Sequence, residues 1–164
     1  MHMPRLSIVR SPAEFEEALA LRYEVFCDEQ QIPREIERDA EDDAATHVVV
    51  RDAAGRVAAT GRVLRQKPGE RLLALAYAAE AGDVARIGRM AVRASGRRSG
   101  LGRLVIEALE AEAARAGLTE AVLHAQTHAE PFYRSCGYER RGEVFEEAGI
   151  PHIEMAKPLQ LPRR

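Results

Sequence analysis

The sequence predicts one α/β domain built on a mixed sheet, on three observations. Stretches with helical apolar spacing alternate with short apolar runs bounded by Gly, Pro and Asp. Short turns rather than linkers join them over 164 residues, a length suited to one core. Residues 84–126 read as strand–helix–strand, which implies a right-handed crossover between parallel strands, while hairpins near the start and the end supply antiparallel pairs.

In chain order, residues 6–9 form an apolar first strand. Ser11-Pro12-Ala13-Glu14 then has Ser at the N-cap, Pro at the first helical position and Glu placed for a capping box. Phe15, Ala18, Leu19, Leu21, Arg22, Val25 and Phe26 keep helical spacing, so the helix spans about residues 12–27. Pro33 biases Ile32 away from helical backbone and marks a break. Residues 35–43 are mostly acidic and read as a solvated loop, with attraction of a cationic amine as the alternative. Residues 46–51 and 56–64 bracket Asp52-Ala53-Ala54-Gly55 as a hairpin. Lys67-Pro68-Gly69-Glu70 reads as a turn, and residues 71–82 lack clean periodicity. A strand over 84–93 runs into an Arg/Ser/Gly loop. An amphipathic helix over 100–116 follows, ended by Gly117. Then come a strand over 119–126, a short helix over 129–135 stopped at Gly137, and two strands over 138–145 and 152–156, separated by Gly149-Ile150-Pro151.

A net charge of −2 argues against a nucleic-acid binder, which needs a basic surface. No run approaches the roughly 20 apolar residues that cross a bilayer, and the N-terminus has no signal-peptide core, so a cytoplasmic location is expected. Cys27 and Cys136 read as free thiols, Cys136 as a packing residue. His2, His47 and His124 have no metal-ligand spacing, so no metal site is expected.

Chemistry concentrates at the strand–loop–helix junction. Helix N-termini carry unpaired N–H groups and a dipole that favours anions, and Gly100 and Gly102 let a diphosphate approach the backbone. Arg97-x-x-Gly100-x-Gly102 resembles the acyl-CoA pyrophosphate loop of the GNAT superfamily of N-acetyltransferases. Gln126, Ala129, Phe132-Tyr133 and Gly137-Tyr138 resemble the second signature of the same superfamily, in the right order. Leu21-Arg22-Tyr23-Glu24-Val25-Phe26, Glu29-Gln30, Thr46-His47, His124-Ala125-Gln126 and Phe145-Glu146-Glu147-Ala148-Gly149-Ile150-Pro151-His152 are further similar to the ElaA/YjcF-like branch. The likeness spans nearly the whole chain apart from residues 71–82.

The resemblance implies a GNAT fold, a mixed six- to seven-stranded sheet flanked by about four helices, over residues 1–164. It implies acetyl-CoA as cosubstrate and a small-molecule or peptide amine as acceptor, attacked directly in a ternary complex; a homodimer is compatible with the fold. Met90 and Val92, with Ala91 between them, would offer backbone groups to the pantetheine arm, a form of strand addition, and an N–H there would polarise the thioester carbonyl. Arg97, Arg98, Ser99, Gly100, Leu101, Gly102 and Arg103 would hold the pyrophosphate, largely through main-chain N–H groups. Gln126 would lie near pantetheine, where the family more often has Asn. Tyr133 would protonate the departing thiolate, and a core-packed ring is its structural alternative. For a base, Glu29, His128, His152 and Glu154 stay open. An inactive CoA-binding module is the competing reading. A Rossmann-type site fits poorly, because the glycines come late and Val105 stands where the third would be.

Overall fold

The structure is a computed structural model that describes residues 3–66 and 84–160. The turn expected at 67–70 and the unplaced stretch 71–82 lie outside the described residues. The strands are β1 (Arg5–Ile8), β2 (Thr46–Arg51), β3 (Val57–Arg65), β4 (Val84–Val92), β5 (Glu120–Gln126), β6 (Glu139–Glu147) and β7 (Ile150–Pro158). They form a seven-stranded mixed sheet in the order β1-β2-β3-β4-β5-β7-β6. Among the described residues four α-helices accompany it: α1 (Pro12–Arg22), α2 (Arg34–Glu37), α3 (Leu101–Arg115) and α4 (Glu130–Ser135). Among the described residues no helix is long and apolar enough to cross a membrane. The chain divides into two compact units, Met1–Val63 with Arg89–Leu109, and Leu64–Gly88 with Glu110–Arg164.

In the first unit, α1 opens as its sequence requires. Ser11 accepts a hydrogen bond from the Glu14 N–H, and Glu14 returns the favour by accepting from the Ser11 hydroxyl and the Arg10 N–H. Its inner face, with Ala18 and Leu21, joins Val25, Phe26, Val49, Val57 and Ala91 in one apolar core. The helix differs from the expected span of 12–27. α-Helical winding stops at Arg22, and residues Tyr23–Glu29 continue as a wider π-helix, with the Gln30 N–H reaching the Val25 carbonyl at 3.2 Å. Such segments are rare and concentrate at functional sites. Gln31, in left-handed backbone (φ 63°), ends the rod before Pro33.

β1–β2 and β2–β3 pair antiparallel, and the predicted 52–55 turn is present. Asp52 Oδ1 accepts from the Ala54 and Arg56 N–H groups, and Gly55 takes the left-handed conformation (φ 84°) that the turn requires. Gly61 on β3 is glycine for a spatial reason. A Cβ there would lie 2.7 Å from Met90 Sδ and 2.8 Å from Val105 Cγ1.

In the second unit, β4 runs parallel to β5 from Val84↔Glu120 to Ile87↔Leu123. β7 lies antiparallel to both β5 and β6, and Val84, Val122 and Ala156 form a small core cluster. Gly117 (φ 84°) ends α3, and the Leu118 N–H returns to the Ala113 carbonyl, the expected glycine stop. The final hairpin turns one residue earlier than expected. Ala148 (φ 52°) and Gly149 (φ 75°) make the two-residue turn, because hairpin twist calls for two successive positive-φ residues. Ile150 and Pro151 therefore belong to β7.

Candidate active site

β4 is continuous from Val84 to Val92 but bends part-way along. The ladder with β5 ends at Ile87, and two residues later Arg89 adopts φ 52°, rare for a residue with a Cβ. β4 then continues through Met90, Ala91 and Val92, and the Arg93 N–H donates to the Ala58 carbonyl on β3. Ala91 is buried in the α1-side core, and Met90 turns the opposite way, towards Gly61.

A short 3-10 turn, Ala94–Gly96, leads to residues 97–100. Arg98 (φ 65°) and Gly100 (φ 85°) both take left-handed backbone, and α3 starts at Leu101. The Ser99 hydroxyl donates to the Gly96 carbonyl, bracing the loop. A Cβ built at Gly100 would meet nothing within 4 Å, so the approach to the first-turn N–H groups of α3 is open on that side. This is the environment an anionic diphosphate needs, and the residues fit an acyl-CoA pyrophosphate. Arg97 does not point freely into it. Its Nη2 lies 2.6 Å from Glu29 Oε2, and its Nε donates to the Val92 carbonyl at 3.0 Å. Arg103 is 4.0 Å from Glu107, one turn along α3.

Behind this strand lies a network that the sequence reading missed. Residues 35–43 are only in part a solvated loop: most are exposed or half-buried, but Glu37 and Asp42 are 3 % and 6 % exposed. Arg22 donates to Glu37 (2.9 Å) and Asp42 (2.8 Å), and Arg62 to Asp39 (2.7 Å) and Asp42 (2.8 Å). Arg89 reaches Glu37 (3.2 Å) and Asp39 (3.1 Å). Three carboxylates, Glu37, Asp39 and Asp42, face three guanidiniums, so these charges are satisfied internally, while Glu35 and Asp43 stay exposed. Burial alone would raise the Asp42 carboxyl, but Arg22 and Arg62 override it and hold it at about 2. His47, whose Nε2 is 2.9 Å from the Asp42 carbonyl oxygen, is pushed below its ordinary value by burial. The visible signal was Arg22 inside an apolar helical stripe and Arg62 inside an apolar strand.

The second unit holds Gln126 and Tyr133. Gln126 ends β5 opposite His152 of β7. After a 3-10 turn, Thr127–Ala129, α4 carries Tyr133, buried with its ring edge-on to Phe132 and Tyr138. The two tyrosines are in different states. The Tyr138 hydroxyl donates to Glu110 Oε2 at 2.8 Å, whereas among the described residues no side-chain hydrogen bond engages that of Tyr133. Burial, with a smaller contribution from Cys136, raises the Tyr133 phenol well above its ordinary value, so it stays protonated throughout the physiological range.

The base candidates separate by their partners. Glu29 is paired with Arg97, and Glu154, fully buried, lies 3.2 Å from His124 Nε2. His124 also meets Glu147 at 3.2 Å; burial opposes its charge, but the two carboxylates raise it to about 9. His152 Nδ1 is 2.7 Å from the Ile150 carbonyl, and its Nε2 is 3.6 Å from Glu147. His128 is exposed. Cys27 and Cys136 are free, and among the described residues no group of three ligating side chains comes together.

The family model for the acetyltransferase (GNAT) domain matches residues 11–159. The chain belongs to this family of acyl-CoA N-acyltransferases. It is 36 % identical over 151 residues to the uncharacterised N-acetyltransferase YjcF of Bacillus subtilis, covering 92 % of this chain and 96 % of that one. Among solved structures, an acyl-CoA N-acyltransferase from Pseudomonas aeruginosa superposes with a TM-score of 0.76 at 28 % identity, covering 94 % of this chain and 99 % of that one. Escherichia coli ElaA gives 0.75 at 26 %, with the same coverage of 94 % and 99 %. The expected superfamily and the ElaA/YjcF likeness are thereby shown, as is the GNAT fold with its seven-stranded mixed sheet.

Proposed function

We propose that this GNAT domain moves an acetyl group from acetyl-CoA to a primary amine by direct attack in a ternary complex, with residues 1–164 acting as one catalytic domain. The observation that carries the reading is the left-handed bend of β4 at Arg89, followed within one unit by a glycine-opened helix N-terminus. Bound acetyl-CoA supplies the activated acyl group as a thioester.

The chain's own residues do the rest. N–H groups from residues 99–103, with Arg98 and Arg103, neutralise the diphosphate, and Arg97 joins them by leaving Glu29. The strand edge at Met90, Ala91 and Val92 orients the pantetheine amides, and an N–H there polarises the acyl carbonyl. Gln126 contributes a further amide contact. Tyr133 holds its proton until sulfur departs and then delivers it from Oη. A free amine acceptor needs no protein base before attack, whereas an ammonium first gives up its proton to a neighbouring group or to water; after attack the nitrogen sheds a proton to water, and water returns one to the Tyr133 oxygen. Alignment of the two substrates supplies most of the rate.

The test is thermal stabilisation by acetyl-CoA, followed by a thiol-release screen across small amines, polyamines and peptides. Stabilisation that grows with ligand concentration, together with turnover of at least one amine, is the expected result. Absence of any stabilisation at millimolar acetyl-CoA refutes the reading.

A further inference from the structure

We propose that Arg89 is the positioning residue of the acyl-CoA strand edge: clamped by Glu37 and Asp39, its side chain holds β4 in the left-handed bend that sets residues 90–92. The inference rests on the reading that these residues receive acyl-CoA, and it concerns a residue which itself touches no substrate.

Left-handed backbone at a residue with a Cβ is strained and persists only where the surroundings over-determine it. A glycine would take φ 52° freely; Arg89 takes it with its guanidinium tied down at several points. Nε lies 3.2 Å from Glu37 Oε1 and donates to the Glu37 carbonyl at 3.2 Å. Nη2 donates to Asp39 Oδ2 at 3.1 Å and to the Ile36 carbonyl at 3.4 Å.

The partners are fixed in their turn. Glu37 is held by Arg22 Nε at 2.9 Å, and Asp39 by Arg62 at 2.7 and 3.1 Å. Arg62 follows Gly61, whose missing side chain leaves the space that Met90 Sδ occupies. Met90, directly after the bend, is thus located from Arg89 before it and from β3 beside it. The acidic stretch 35–43 thereby acquires a purpose. It is the anchor for a bend whose alternative is continuation of the strand in register, and a strand edge preorganised in this way binds without first paying to order itself.

Three variants separate the possibilities. Arg89→Met keeps the strain and removes the clamp, Arg89→Gly removes both, and Arg89→Lys keeps a charge without the fork that spans two carboxylates. Acetyl-CoA binding is read by calorimetry, backbone order by amide hydrogen exchange of residues 88–92 in the free protein, and folding by thermal melting. The expected result is a loss of affinity of about tenfold to a hundredfold in both R89M and R89G, faster exchange at residues 90–92, and partial recovery in R89K. R89G, relieved of strain, keeps the test decisive if R89M does not fold. A merely structural role lowers the melting temperature and leaves the Kd of the folded variants at the wild-type value, and that result overturns the proposal. Wild-type protein that fails to bind acetyl-CoA overturns the site reading and this proposal with it; unchanged exchange beside intact wild-type binding overturns the clamp alone.

Discussion

Replacing Asp42 by Asn is the most demanding test of the buried charge network. The carboxylate, 6 % exposed, accepts from Arg22 Nη1 at 2.8 Å, Arg22 Nη2 at 3.1 Å, Arg62 Nη1 at 2.8 Å and the Asp39 N–H at 3.1 Å. Arg22 and Arg62 are themselves 1 % and 4 % exposed. Asn preserves the shape but removes the charge and turns an NH2 towards a guanidinium. Breaking a buried pair from one side costs about 3–5 kcal/mol, because the charge left behind remains out of water.

A second estimate comes from the proton. The carboxyl falls from an ordinary 3.8 to about 2. At about 1.4 kcal/mol per tenfold change in proton affinity, this is worth about 2.5 kcal/mol. Because the folded value is the depressed one, that contribution is present above pH 3.8 and is lost as pH falls through about 2. Urea unfolding at pH 7 is therefore expected to show D42N destabilised by about 3–5 kcal/mol, and thermal melting a fall of roughly 6–20 °C. The gap from wild type should narrow by about 2 kcal/mol between pH 5 and pH 2. A loss below about 1 kcal/mol at pH 7, or a gap independent of pH, refutes the assignment of a charged Asp42 as the hub.

Further outcomes follow from the remaining geometry. Tyr133→Phe should lower kcat by about 10²- to 10⁴-fold and leave the Kd for acetyl-CoA within about twofold, read by stopped thiol-release assays and calorimetry. Glu29→Gln should tighten acetyl-CoA binding by up to about fivefold, because Arg97 no longer exchanges a carboxylate partner for the diphosphate; weaker binding would show that Glu29 orients Arg97. His124, raised from 6.5 to about 9 by Glu147 and Glu154 against the pull of burial, contributes stability that is complete below pH 6.5 and lost as pH rises through about 9. The ceiling is about 3 kcal/mol, and chemical denaturation from pH 6 to 9.5 should show the decline in wild type and a flatter profile in His124→Gln.

Elements with local causes were legible in the chain. The α1 start, the turn at Gly55, the end of α3 at Gly117 and the loop into α3 each depend on a few adjacent residues whose chemistry admits one outcome. The wide winding of residues Tyr23–Glu29 was not, because its side chains still satisfy an approximate helical spacing and only the carbonyl partners change. Ala148 in left-handed backbone hid the start of the final turn, because Ala carries no turn signal and only the hairpin twist dictates its positive φ. The buried members of the acidic stretch, Glu37 and Asp42, were misread because their partners lie far away. Arg89 is 52 residues from Glu37, and Arg62 is 20 from Asp42, separations over which sequence pattern carries no register. Tyr133 was located correctly on its short helix, but the difference from Tyr138 appeared only with Glu110 in view.

The charge network also bears on how the first unit assembles. Arg22, Glu37, Asp39, Asp42, Arg62 and Arg89 arrive from four separate segments, and losing any one of the four leaves a buried charge without one of its partners. A partly built network is less favourable than none. Intermediates that dock the α1 rod without β3, or β3 without the 35–43 segment, are therefore penalised, and the unit gains an all-or-none character that apolar packing alone would not impose. Its ionic interior thus favours complete assembly, with the bend at Arg89 on its anchor, over any partly docked arrangement.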